Sequence, residues 1–280
     1  MIHLAFRRFF GALILLVLAL PAIVRALPQE ENVPGGVALV NLGDASSSTS
    51  SPPRAWLGEQ TVWVTRENGQ WIAVVGLALD LPVGTQELRV GNGDAQKTVR
   101  FEIKAKNYPA QHITLKNSSQ VNLSADDEER ALAEIARIQN LKRHWRETND
   151  TNANFLLPAE GRLASRFGLR RFFNDEARAP HVGLDVAVPR GTPVKASAQG
   201  TVLAVDDYFF NGKTVFVDHG NGLISMYCHL DRIDVRAGDA VGQGQRLGLS
   251  GMTGRASGPH LHWSMILNGV MVDPALFVGK

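Results

Sequence analysis

TVLAVDDYFFNGKTVFVDHGNGLISMYCHL, residues 201–230, holds three apolar runs broken by Asn211-Gly212 and Asn221-Gly222. Asn-Gly is the dipeptide that best accepts the positive φ angles of a tight hairpin turn, so each break reads as a reversal between antiparallel strands. The same alternation continues outward on both sides. From 192 to 251 short strand runs alternate with glycine-bearing turns, and no helix of useful length fits. The reading is a compact antiparallel β-domain from Phe155 to the C-terminus. Five of the eight histidines lie inside it: His181, His219, His229, His260 and His262.

Upstream, residues 36–106 carry strand-like runs, GVALVNL, QTVWVT, WIAVVGLALDL, QELRVG and TVRFEIKA, with Asn68-Gly69 as a further hairpin signal. They predict a small β-sandwich-like accessory domain over 27–120, with the serine-rich stretch at 45–53 as a solvated loop. Residues 121–154 then read as a connecting helix and linker. Ser124 with Asp127 forms a capping-box-like start, acids fill the first turn, and Lys142, Arg143 and Arg146 suit the end of the helix dipole. About six turns are expected, with Leu132, Ile135, Ile138, Leu141 and Trp145 as an apolar stripe packed on a neighbouring domain. TNDTNAN, 148–154, reads as the linker to the domain at 155–280. The fold class is therefore mainly β, in two β-domains joined by an α-helix.

Residues 1–26 stand apart. Arg7 and Arg8 precede FFGALILLVLALPAIV, and VRA ending at Ala26 is a small-residue cleavage pattern. This is the layout of a secretory signal peptide, with a retained anchor as the alternative. Losing Arg7, Arg8 and Arg25 takes the net charge from +2 to −1, so the mature chain has no electrostatic footprint for nucleic acid. The single cysteine, Cys228, permits no internal disulfide and reads as a core residue.

Two short stretches carry the chemistry. In GPHLHW, 258–263, an extended chain places His260 and His262 on one face. In HVGLD, 181–185, His181 and Asp185 share a face in either a helix or a strand, and Gly183 favours extended chain. Two imidazoles and a carboxylate form the three-ligand set of a catalytic zinc whose fourth position stays open. Spacing alone leaves it undecided whether His260 or His262 is the third ligand. No H-E-x-x-H occurs, so the base must come from the remaining imidazoles, with His260 and His229 as the candidates. His219, in DHGNG, reads as structural, and His3, His112 and His144 are assigned no chemistry.

HVGLD, MYCHL and GPHLHW, in this order, resemble the lysostaphin-type (LytM) zinc metallopeptidases that cut peptidoglycan cross-bridges. The similarity runs over roughly 155–275 and includes GRLASRFGLR, GTPVKASAQGTV and AGDAVGQGQRLGLSGMTGRASGPHLHW. The resemblance implies zinc held by His181, Asp185 and His262, with His229 and His260 as the catalytic pair. It also implies an antiparallel catalytic domain of duplicated hybrid motif type with a narrow groove over the metal. The layout of the N-terminal β-domain is similar to accessory domains found ahead of such catalytic units.

The expected function is a zinc endopeptidase of the bacterial envelope or periplasm, acting on peptidoglycan peptide stems, at D-alanyl to diaminopimelate bonds, with glycyl-glycine bridges as the other option. The alternative is a catalytically inactive family member that binds peptidoglycan or activates an amidase. VRAGDAVGQGQRLGLSG also resembles biotinyl or lipoyl carrier domains, but GMTGRASG, the turn after it, has no lysine for attachment. From their position in the chain, the accessory domain and helix are expected to cover the groove and restrain the hydrolase.

Overall fold

The computed structural model describes residues 27–45, 51–92, 95–113 and 123–279. Residues 1–26, read above as a signal peptide, and 46–50 of the serine-rich stretch lie outside them. Among the described residues, no helix is long and apolar enough to cross a membrane.

Six strands make the N-terminal sheet: β1 (Val37–Asp44), β2 (Arg54–Leu57), β3 (Gln60–Glu67), β4 (Gln70–Gly76), β5 (Gly84–Asn92) and β6 (Ala95–Ile103). They pair antiparallel in the order β1-β4-β3-β2-β5-β6. Asn68 and Gly69 both have positive φ and join β3 to β4, as the Asn-Gly signal requires. Strands from both halves of the sheet contribute to one core, including Val40, Val62, Val75, Leu88, Val90 and Ile103, which gives the unit its sandwich-like character.

A short strand, β7 (Ala110–Ile113), and a helix, α1 (Ala125–Lys142), follow. β7 lies in the stretch assigned above to the accessory domain, yet it runs parallel to a strand of the C-terminal region. Ser124 caps α1 by accepting from the Asp127 N–H, as its sequence indicates. The helix is nevertheless shorter than expected, 18 residues, and ends at Lys142. Beyond it, tertiary contacts outcompete helix propensity: Trp145 packs against Gly222, and Arg146 pairs with buried Asp218. The predicted stripe also splits. Ile138 and Leu141 pack on the sheet, while Leu132 and Ile135 remain 60% and 44% exposed.

The stretch 148–154 is not a free linker. Thr151 and Ala153 are buried, and the Asn221 side chain donates to the Thr148 carbonyl and the Thr151 hydroxyl. Its polar composition serves hydrogen bonds to the β-turn beneath rather than solvent.

The C-terminal region contributes β8 (Arg162–Ser165), β9 (Arg170–Phe173), β10 (Glu176–Arg178), β11 (Leu184–Ala187), β12 (Pro193–Lys195), β13 (Gly200–Tyr208), β14 (Gly212–Asp218), β15 (Leu223–Ile233), β16 (Ala240–Val241), β17 (Arg246–Ser250), β18 (Leu261–Leu267) and β19 (Val270–Val272). The main sheet has the order β16-β13-β14-β15-β18-β11-β8. β18 is thus flanked by β15 and β11. One face carries a core with Val186, Val215, Tyr227, Leu261 and Trp263. The other carries Phe216, Ile224, Met226, Cys228 and Ile266, with Ile138 and Leu141 of α1 packed against them. Cys228 is fully buried, and burial pushes its thiol up to about 12.

The two sheets meet where β4 touches the β18–β19 turn. Asn268 Oδ1 accepts from Gly76 N–H at 2.6 Å and its amide donates to the Gly76 carbonyl at 3.2 Å. Only glycine fits there, since a Cβ on Gly76 would lie 2.6 Å from the Leu267 carbonyl.

His219 is structural, as read. Its Nδ1 donates to the Gln199 carbonyl at 2.7 Å and its Nε2 meets the Ser225 hydroxyl at 2.8 Å. Burial lowers its pKa to about 4, against the opposing effect of the Gln199 bond. The unfolded chain therefore binds a proton at higher pH than the folded one, and stability falls as pH drops from about 6.5 to about 4. The loss assignable to this ring is on the order of 3 kcal/mol. Urea unfolding of the metal-free protein across this window should show a shallower slope for His219→Gln, and equal slopes would remove His219 as a cause.

Candidate metal centre

β18 brings the site together through its register. His262 is the antiparallel partner of Asp185 on β11 and of Cys228 on β15, and His229 follows Cys228 directly. His260 lies just before β18, bridged to Gly251. His181 reaches the same point from the loop ahead of β11.

Three groups converge. His181 Nε2 is 3.0 Å from Asp185 Oδ1 and 3.0 Å from His262 Nδ1, and His262 Nδ1 is 2.9 Å from Asp185 Oδ1. Among the described residues, these three are the group whose donor atoms could hold one metal ion. His181 Nδ1 donates to the Arg166 carbonyl at 2.9 Å, so Nε2 is turned to the cluster, as a donor when the ring is protonated and as a lone pair when it is neutral. His262 Nε2 faces the Ser264 hydroxyl at 2.8 Å, which can accept or donate and so suits either tautomer. Burial raises the Asp185 carboxyl, but hydrogen bonds from His181 and His262 and the charge of both rings outweigh it and hold it well below the carboxylate range. Burial lowers His262, partly offset by Asp185.

The donor set fits zinc. Zinc–ligand bonds of ~2.0–2.1 Å in a tetrahedron imply ligand separations of about 3.3 Å, and the observed 2.9–3.0 Å needs only a few tenths of an ångström of opening. Lone pairs turned on one another at such distances need a proton or a cation between them.

Two more imidazoles stand beside this cluster. The His229 and His260 rings are 4.7 Å apart, and His229 lies 6.1 Å from His262. His229 Nδ1 donates to the Thr253 carbonyl at 2.9 Å and His260 Nδ1 to the Gly258 carbonyl at 2.8 Å, which leaves each Nε2 as an acceptor in the neutral ring. Burial pushes His229 down to about 4, so it is neutral at pH 7. Its φ of 61° is in the left-handed region, which a histidine occupies only when held there.

Several contributors escaped the sequence reading. Arg171 Nη2 is 3.7 Å from Asp185 Oδ2, on the carboxylate oxygen turned away from the cluster. Thr253 and Ser264 orient rings through a carbonyl and a hydroxyl, and carry no motif signal. Gly183, which the sequence marks for extended chain, also makes room for the cluster, because a Cβ there would lie 2.7 Å from the His262 ring. In the stretch YFF at 208–210, Tyr208 is buried core, while Phe209 and Phe210 stand at the β13–β14 turn with Phe210 exposed.

An antiparallel sheet presenting two imidazoles and a carboxylate at one point, with two further imidazoles alongside, defines a metallopeptidase-type fold and site. Residues 179–274 match the profile of Peptidase family M23, and 30–106 match that of the Peptidase family M23 N-terminal domain. A crystal structure of a protein described as a peptidase M23 from Pseudomonas aeruginosa superposes with a TM-score of 0.74 at 42% identity, covering 89% of this chain and 95% of that one. The chain belongs to peptidase family M23. Curated relatives include the peptidoglycan DD-endopeptidase ShyA of Vibrio cholerae serotype O1, 45% identical over 113 residues. Another is the DD-carboxypeptidase/endopeptidase Mpg of Neisseria meningitidis serogroup B, 38% identical over 113 residues. Each match covers 40% of this chain and 26% of the relative's length.

Proposed function

We propose that this protein is a zinc-dependent endopeptidase that hydrolyses peptide cross-links of bacterial peptidoglycan, at bonds between D-alanine and diaminopimelate. The observation that carries the reading is the convergence of His181 Nε2, Asp185 Oδ1 and His262 Nδ1 within 3.0 Å of one another, beside two neutral-capable imidazoles. The substrate class comes from ShyA, whose name gives it as a peptidoglycan DD-endopeptidase.

In this reading His181, Asp185 and His262 hold the zinc. When bound there, zinc supplies Lewis acidity, bringing the pKa of a water towards neutrality and polarising the scissile carbonyl. His229 and His260 do the proton work. Each holds its Nδ1–H on a backbone carbonyl, so Nε2 is the atom that accepts a proton from the attacking water, and the resulting imidazolium donates to the developing oxyanion or the leaving nitrogen. Arg171, 3.7 Å from the far oxygen of Asp185, helps to orient that carboxylate.

The location that goes with this activity is the bacterial cell envelope or periplasm, reached through the export pattern at 1–26. Restraint of the groove by the N-terminal region was the expectation from layout. The contact between the two sheets supports it little, because the Gly76–Asn268 junction lies at the opposite end of β18 from His262.

The test is digestion of purified cross-linked muropeptide dimers by the zinc-loaded protein, with products identified by mass spectrometry. Release of monomers with a free D-alanine carboxylate is the expected result. Intact dimers, together with stimulation of an added amidase, would replace the reading with that of an activator.

A further inference from the structure

We propose that Glu134 on α1, outside both family-matched segments, is a positioning residue for His229. Its activity arm rests on the hydrolase reading above; its spectroscopic arm does not.

α1 presents Arg130, Glu134 and Arg137, at positions i, i+4 and i+7, towards the end of β13. The Glu134 side chain is only 12% exposed and is used at both oxygens. Oε1 accepts from Arg130 Nε at 2.7 Å, and Oε2 accepts from the Phe209 backbone N–H at 2.5 Å. Arg130 donates in turn to the Asp207 carbonyl at 3.0 Å and lies over the Phe209 ring, and Arg137 pairs with Asp206 at 2.5 Å. Three side chains of one helix thus clamp the segment 206–209.

Phe209 follows directly on the last residue of β13, so Glu134 supplies an acceptor where the strand ladder has ended. From the turn it begins, two routes lead to His229. The Asn211 carbonyl accepts from His229 N–H at 2.8 Å, fixing the backbone. Lys213 N–H donates to Thr253 Oγ1 at 2.9 Å, Gly212 packs on Thr253, and the Thr253 carbonyl holds the His229 ring. His229 at φ 61° needs such external support, since a non-glycine side chain crowds the backbone in the left-handed region. Glu134 therefore acts on His229 through the 209–212 turn, without touching the metal cluster.

Glu134→Ala removes the acceptor for Phe209 N–H, whereas Glu134→Gln keeps one. In the full chain, E134A should lower kcat by about tenfold or more at near wild-type KM and zinc content, with E134Q within about twofold of wild type. The second measurement uses metal-free protein labelled with 13C and 15N at histidine. The His229 Nδ1–H signal should shift or broaden in E134A and not in E134Q, while the His219 ring, with its own partners, stays unchanged in both. Identical His229 signals in wild type and E134A would overturn the proposal, as would equal losses in E134A and E134Q accompanied by a moved His219. A wild type inactive on muropeptides would withdraw the hydrolase reading alone, and the His229 signals would still decide this one.

Discussion

Replacing His262 with alanine is expected to leave a folded chain without bound zinc and with peptidase activity lower by about 10³-fold or more. The ring supplies one of three converging atoms, and its removal leaves His181 and Asp185 as an incomplete pair. It also strips Asp185 of a hydrogen bond and a nearby charge that help keep its carboxyl low. Asp185→Asn tests the same point with almost no change of volume, because the amide keeps the shape and loses the charge. Elemental analysis after gentle purification, paired with a thermal melt, reads both. One zinc per chain in either folded variant would show that the ion is held elsewhere.

His229 gives the second large effect, of a different kind. His229→Ala should keep about one zinc per chain while losing about 10²- to 10⁴-fold in kcat, the range for a positioned acid–base group. Alanine is disfavoured at the positive φ of residue 229, so His229→Asn, which tolerates that region better, separates loss of the imidazole from loss of the backbone conformation. Activity retained within about tenfold in the asparagine variant would transfer the proton role to His260 alone. Loss of zinc in both variants would place His229 among the metal ligands.

The parts of the fold that could be read ahead of the coordinates are those governed by local rules. Asn68-Gly69 and Asn221-Gly222 form positive-φ turns because few other dipeptides accept those angles, and the strands between them follow. Spacing sets His260 and His262 side by side, but which of them joins His181 and Asp185 depends on β18 register, a long-range pairing that spacing does not encode. The helix end at Lys142 was missed because Trp145 and Arg146 leave the helix for Gly222 and Asp218, partners more than 70 residues away. The same distance problem hid Thr253, Ser264 and Glu134, whose contributions are a carbonyl, a hydroxyl and a carboxylate delivered by tertiary contacts. The polar stretch at 148–154 misled for a related reason: hydrophilic composition marks hydrogen-bonding capacity, and here that capacity is spent on Asn221 and His219.

The pairing of Asp185 with His262 spans 77 positions in the chain, and it has a kinetic corollary. Sheets closed by contacts of such separation form slowly compared with hairpins, because the intervening loop must be immobilised before the pairing yields any gain. The β13–β14 and β14–β15 hairpins can assemble from neighbours in sequence, whereas the centre exists only once β18 has entered between β15 and β11. A chain in which β18 is unpaired therefore lacks the convergence of His181, Asp185 and His262. The candidate centre is in this sense a readout of completed folding, because its third donor arrives only with β18.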